Sequence, residues 1–245
     1  GTQFRGFAEN PDVRTVGGEL RNALEQILGE HVELTVAGRT DAGVHAMGQV
    51  VSFRSSSSRL DCERLTSALN GICNSDIRVQ AVSAVEDDFN ARFSATERMY
   101  RYNILNASLA DPLHADIEWH ISEPLNVDAM NGAASLFLGE HDFTSFCRRP
   151  KGQPAQALVR RIRSSQWIAQ TQQRIQFQIA ANAFCHQMVR SLTGFCVAVG
   201  LGKCEAETFE AVLKAQNRAA APPIAPPHGL ILQHVTYGES DGQGQ

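Results

Sequence analysis

Ala37-Gly38-Arg39-Thr40-Asp41-Ala42-Gly43-Val44-His45-Ala46-Met47-Gly48-Gln49 is the stretch whose reading decides the fold. Three glycines, an arginine and an aspartate stand together in it. Glycine permits positive φ and close backbone approach, so such a segment can hold a tight shape and press against a ligand. The Asp41 carboxylate can act as nucleophile, base or metal ligand. Composition by itself favours a plainer role, the capping of a turn. His45 is a candidate general base, and reads more readily as a hydrogen-bonded strand residue.

The flanks identify the segment as a connection between strands. Val32 to Ala37 alternates as one strand, and Gln49 to Phe53 reads as another. Upstream, Val16, Leu20, Ala23, Leu24, Ile27 and Leu28 recur at helical steps and stop at Gly29. Downstream, residues 60 to 72 have helical spacing, and alternating strands are expected over 77–85 and 98–105. A second series follows: a helix capped by Asn126, strands near 158–169 and 174–181, an apolar helix from about Cys185 to Leu201, a short helix over 205–215, and a last strand from Leu230 to Tyr237. Helices mixed with hairpin-like strands indicate an α+β chain rather than a doubly wound sheet. Two halves of similar build, residues 1–105 and 106–245, are expected.

The chain has 245 residues, 43% of them hydrophobic and 20% charged, as in an ordinary globular protein. No stretch approaches the roughly 18 apolar residues of a membrane-spanning helix. The net charge of −4 conceals a division. From Phe143 to Cys204 there is no Asp or Glu, while Arg148, Arg149, Lys151, Arg160, Arg161, Arg163, Arg174, Arg190 and Lys203 supply nine positive charges, so the rest of the chain carries −13. A basic face on an acidic body can hold a polyanion; a solvated strand pair is the plainer alternative. The six cysteines are scattered without a CxxC pair, which fits neither a disulfide framework nor zinc spacing. Cys185 and Cys196, in apolar surroundings, are expected in the core, and a reducing compartment is expected. Glu140-His141-Asp142 reads as a polar loop rather than a metal site. No HExxH, phosphate-binding or dinucleotide-binding motif is present.

GRTDAGVHAMGQV (residues 38–50) closely resembles the signature of the TruA-type tRNA pseudouridine synthases. The resemblance covers nearly the whole chain: residues 1–7, 88–93 (DFNARF), 98–102 (RMYRY), 139–146 (GEHDFTSF), 183–190 (AFCHQMVR) and 225–232 (APPHGLIL) follow in order. It implies an α+β pseudouridine synthase fold, with mixed, mainly antiparallel sheets flanking a central RNA-binding cleft. It also implies a strand ahead of Gly1.

The implied activity isomerises uridine to pseudouridine in the anticodon stem-loop of tRNA, at positions thirty-eight to forty, without a cofactor or metal. Asp41 would be the catalytic carboxylate, Tyr100 would pack on the uracil, and Arg190 would pair with Asp41. Leu230 would wall the base, and Arg39 and Thr40 would contact the RNA. Arg148, Arg149, Arg160 and Arg161 would hold phosphates. A cytoplasmic homodimer is implied. Two rivals remain: a non-catalytic RNA-binding protein of the same fold, and a retaining glycosidase using Asp41, which needs a second carboxylate about 5–5.5 Å away.

Overall fold

A computed structural model of the chain describes residues 1–57, 60–149 and 156–238. It divides into unit 1 (residues 1–44 and 49–95) and unit 2 (residues 45–48 and 96–245). Among the described residues no helix is long and apolar enough to cross a membrane.

Unit 1 is built on two capped helices. Helix α1 (Val16–Leu28) begins where the Thr15 hydroxyl accepts from the Gly18 N–H, and it ends at Gly29, whose φ of 70° closes the last turn. Strands β1 (Thr35–Val36) and β3 (Val51–Ser52) pair antiparallel, with Thr35 opposite Ser52. Between them in sequence, β2 (His45–Ala46) belongs to unit 2. Helix α2 (Cys62–Ile72) starts on the Asp61 side chain, which accepts from Arg64 N–H. Leu24, Val32, Leu65 and Leu69 form the core with Phe4.

The expected strand over 77–85 is not formed. Its alternation breaks after Val79, for Ala81, Ser83 and Val85 are exposed while Val82 packs on the core, and side chains of α2 meet its backbone at Val79 and Val82. Asn70 brackets Val79, donating to its carbonyl at 2.7 Å and accepting from its N–H at 2.9 Å, and Thr66 accepts from Val82 N–H. A period of two in the sequence does not by itself supply a ladder partner.

Unit 2 holds a seven-stranded mixed sheet. Its members are β2, β4 (Ala95–Asn106), β5 (Trp119–Ile121), β6 (Gly139–Asp142), β7 (Val159–Ala169), β8 (Arg174–Ala181) and β9 (Leu230–Tyr237), in the order β2-β9-β4-β8-β7-β6, with β5 beside β4. The β4–β8, β8–β7 and β7–β6 pairs are antiparallel; β2–β9 and β4–β5 are parallel. The division between units falls at residues 95/96 rather than 105/106. The reason is that β4 pairs with β8 over eight positions, Arg98 to Leu105, which fixes it in unit 2.

Helices α3 (Val127–Ser135), α4 (Met188–Gly200) and α5 (Thr208–Ala215) complete unit 2. Phe137, Phe143, Phe146, Phe195 and Phe209 pack ring against ring at 5.0 to 6.5 Å. Trp167 stacks on Phe177 at 4.9 Å. Residues 140–142, expected as loop, form most of β6, because their backbone pairs with Val159 to Arg161. Cys196 is fully buried as expected. Cys185 is not a core thiol: it is half-buried and joined to Cys147 as a disulfide, with Cα atoms 5.8 Å apart. Scattered spacing conceals this pairing because 38 residues separate the two.

Candidate active site

Asp41 sits in a loop of unit 1 whose backbone is fixed on several sides. The Phe7 N–H donates to the Thr40 carbonyl at 3.1 Å, the Gln49 side-chain amide donates to the Gly38 carbonyl at 2.8 Å, and Val44 N–H returns to the Asp41 carbonyl at 3.1 Å. Phe7 is also tied to the helix start, its carbonyl accepting from Gly17 N–H at 2.9 Å. The first residues of the chain therefore bridge the N-terminus of α1 and the aspartate loop. Gly6 permits this: its φ is 97°, and a Cβ there would stand 2.8 Å from the Thr40 oxygen. Gly43, at φ 79°, turns the chain directly after Asp41 and Ala42. Asp41 and Thr40 are half-buried and Arg39 is exposed. Such bracing holds the carboxylate's backbone in place before any ligand arrives.

Tyr100, Arg190 and Leu230 belong to unit 2. Tyr100 lies on β4 opposite Ile179 and meets the Phe184 ring edge-to-face at 5.2 Å. Arg190, in the first turn of α4, is gripped by one residue twice. Its Nε donates to the Ala225 carbonyl at 2.8 Å, and its own carbonyl accepts from Ala225 N–H at 3.1 Å. Leu230 opens β9 and is buried, its N–H bonded to the Pro227 carbonyl. The run between Ala225 and Leu230 is fixed again by Tyr102, whose hydroxyl donates to Pro226 at 2.8 Å. Burial drives that phenol well above its usual pKa, so it stays a neutral donor. His45 is a strand residue, as expected; its Nε2–H donates to the Asp116 carbonyl at 2.8 Å, and burial holds the imidazole below its ordinary value.

The acid-free run does not remain a uniform basic face. Arg161 pairs with Glu140 (3.4 Å), Arg163 with Glu97 (3.2 Å), Arg174 with Glu118 (2.9 Å) and Lys203 with Glu123 (3.6 Å). Carboxylates distant in sequence thus offset part of it. Arg160 and Arg161 are neighbours on β7 and emerge on opposite sides of the sheet. Arg160 is half-buried, which depresses its pKa, whereas Arg161 is exposed. Arg148 and Arg149 instead line a pocket with Arg218. Lys151 lies outside the described residues.

Three positioning residues escaped the sequence reading. Ala225 acts through its backbone, which no residue type signals. Tyr102 was within a recognised motif, but nothing in the motif separates its role from that of Tyr100. Gly194 did leave a signal: an isolated glycine in an apolar helix usually marks close packing. A Cβ there would lie 2.1 Å from the Pro223 oxygen and 3.3 Å from Ala225 N. Among the described residues no group of three His, Cys, Asp or Glu side chains is placed to hold a metal ion.

The family model described as tRNA pseudouridine synthase matches residues 1–94 and 133–238. A protein named tRNA pseudouridine synthase A from Thermosipho melanesiensis is 39% identical over 237 residues, covering 97% of this chain and 96% of the relative. Its namesake from Moorella thermoacetica is 38% identical with the same coverages. That from Halalkalibacterium halodurans is 40% identical over 94% of this chain and 87% of its own length.

Proposed function

The chain belongs to the tRNA pseudouridine synthase family, and from that premise we propose that it isomerises uridine to pseudouridine in the anticodon stem-loop of tRNA, at positions thirty-eight to forty. The observation that carries the reading is Asp41 in its braced, glycine-punctuated loop within a chain aligned end to end with these enzymes. In the reaction the bond from ribose C1′ to uracil N1 breaks, the base rotates, and C1′ joins C5. The C5 proton is lost while N1 gains one, so no oxidant or reductant is consumed.

Asp41 is the catalytic carboxylate in this proposal. Attack on the sugar, attack on the base and abstraction of a sugar proton all remain open to it. Arg190 pairs with Asp41 and keeps it charged and aimed, and the double grip of Ala225 would orient the guanidinium for that task. Tyr100, held edge-on by Phe184, packs on the target uracil, and Leu230 walls it. Arg39 and Thr40 hold the nucleotide once it leaves its stack, which costs a few kcal/mol. Arg148, Arg149, Arg160 and Arg161 contact the RNA backbone. The active form is a cytoplasmic homodimer in which one subunit grips the tRNA body while the other acts; light scattering on the purified protein tests the dimer.

The decisive experiment uses tRNA carrying label at uracil carbon five. Label release with the RNA intact is expected from the wild type, and none from Asp41→Asn, whose tRNA binding survives. Free uracil would mark a glycosidase, and binding without release a silent RNA-binding protein.

A further inference from the structure

The pocket lined by Arg148, Arg149 and Arg218 lies wholly within unit 2 and has a volume of ≈ 420 Å³. Its lining is assembled from three places in the sequence. Residues 142–149 supply Asp142, Thr144, Arg148 and Arg149, residues 156–157 add to it, and the end of α5 supplies Gln216, Asn217 and Arg218. A buried hydroxyl bolts the first and last of these together: Ser145 Oγ donates to the Val212 carbonyl at 2.5 Å and accepts from Asn217 N–H at 3.0 Å. Gln216 is held at φ 45°, a left-handed conformation rare outside glycine, and its side-chain amide donates to Asp142 at 3.0 Å.

One carboxylate, Asp142, lines the same pocket, but its oxygens are already engaged. One accepts from Thr144 N–H (3.1 Å), Thr144 Oγ (2.6 Å) and Leu158 N–H (2.9 Å), and the other from Gln216 Nε2 (3.0 Å). Asp142 organises the donors and offsets part of the charge of Arg149, whose guanidinium helps hold its carboxyl below the usual range. Arg149 is positioned by donating to Thr144 Oγ at 2.9 Å and to the Gln156 carbonyl. Arg218 is half-buried, its guanidinium reaching only the carbonyls of Ala221 and Pro222 at 3.4 Å. Neither Arg148 nor Arg218 has a carboxylate partner among the described residues. Three guanidinium groups against one carboxylate leave a net positive, donor-rich recess. An anion with oxygens on several sides would satisfy forks arriving from different directions, which is the geometry of a phosphate.

We infer that this pocket takes a backbone phosphodiester of the tRNA substrate, with Arg218 as a phosphate-binding residue alongside Arg148 and Arg149. The inference rests on the tRNA reading above. Its test is the salt dependence of tRNA affinity, measured for the wild type, Arg148→Gln, Arg218→Gln, Arg218→Lys and the control Lys214→Gln. Lys214 is exposed and paired with Glu210 on α5, so its variant loses the same charge without touching the pocket.

Each released phosphate contact should flatten the slope of log Kd against log salt by roughly 0.7–0.9. Arg148→Gln and Arg218→Gln should both show this, with Kd raised about tenfold. Arg218→Lys should keep the slope, and Lys214→Gln should match the wild type. Thermal melting checks that Arg218→Gln is folded; if it is not, Arg148→Gln, altered at an exposed side chain, carries the test. Slopes unchanged in both Gln variants would overturn the pocket while leaving the tRNA reading intact. A wild type that fails to bind tRNA would overturn both. A melting temperature raised by inorganic phosphate in the wild type but not in Arg218→Gln, with tRNA slopes unchanged, would assign the pocket to a free anion and overturn the proposal.

Discussion

Replacing Gly194 by alanine sets a local preference against a tertiary contact. Gly194 lies inside α4, where alanine is favoured over glycine by about 1 kcal/mol. Propensity alone therefore predicts a more stable protein. The structure predicts the reverse. The added Cβ would stand 2.1 Å from the Pro223 carbonyl oxygen, and a relaxed carbon–oxygen contact needs about 3.3 Å, so the segment around Pro223 must move by about 1 Å. That movement costs about 1–3 kcal/mol as overpacking. It also pulls Ala225 from Arg190, and a hydrogen bond from a charged donor is worth about 1.5–3 kcal/mol. Net of the propensity gain, the loss is about 3 kcal/mol, or roughly 6–12 °C in melting temperature for a chain of this size. Turnover should fall about tenfold or more, because Arg190 loses its aim; this corresponds to about 1.4 kcal/mol in the barrier. Gly132→Ala in α3 is the matched control. Nothing lies within 4 Å of its Cβ, so only the propensity gain applies, and its melting temperature should rise by about 2–4 °C. Melting curves and label-release rates on both variants decide the matter. If Gly194→Ala melts at or above the wild type and turns over normally, the bracing of Arg190 through the 223–225 segment is refuted.

Arg160 and Arg161 should respond differently when changed singly. Arg161→Gln removes an exposed charge and should flatten the salt dependence of tRNA binding, whereas Arg160→Gln relieves a half-buried cation and should change thermal stability by a larger margin. Equal effects of the two on both measurements would contradict their placement on opposite sides of β7. His45 gives a pH prediction. Burial depresses its folded-state pKa below the unfolded value of about 6.5, so the unfolded chain takes up the proton first. Its contribution to stability is complete above about pH 6.5 and declines as the pH falls through the folded-state value. Melting temperature against pH should be flatter from pH 7 to pH 5 in His45→Gln than in the wild type; parallel curves would remove His45 as a source of that dependence.

Local patterns were legible wherever the interaction that makes them is itself local. Helical spacing up to Gly29 gave α1, and the alternation of Ile175, Phe177 and Ile179 gave β8, because side-chain periods act over a few residues. The same alternation over 77–85 misled, since Ala81, Ser83 and Val85 are exposed, and a local pattern cannot show that Asn70 and Thr66 would take the place of a neighbouring strand. Within the candidate site, the residue types of the Asp41 loop were readable. The Gly6 and Phe7 contacts that brace it were not, because they join backbone atoms more than thirty positions apart.

The sequence by itself determined most of the element types, the family signature and a segregation of charge into one acid-free run. Tertiary structure decided what that charge is worth. Glu97, Glu118, Glu123 and Glu140 reach Arg163, Arg174, Lys203 and Arg161 across sequence, while Arg148, Arg149 and Arg218 converge on one pocket. It also decided that Cys147 and Cys185 meet, and that a glycine in α4 yields room to Pro223. The physical reason is the same in each case. Coulomb energy, packing and thiol proximity depend on distance in space, and position along the chain fixes that distance only between near neighbours.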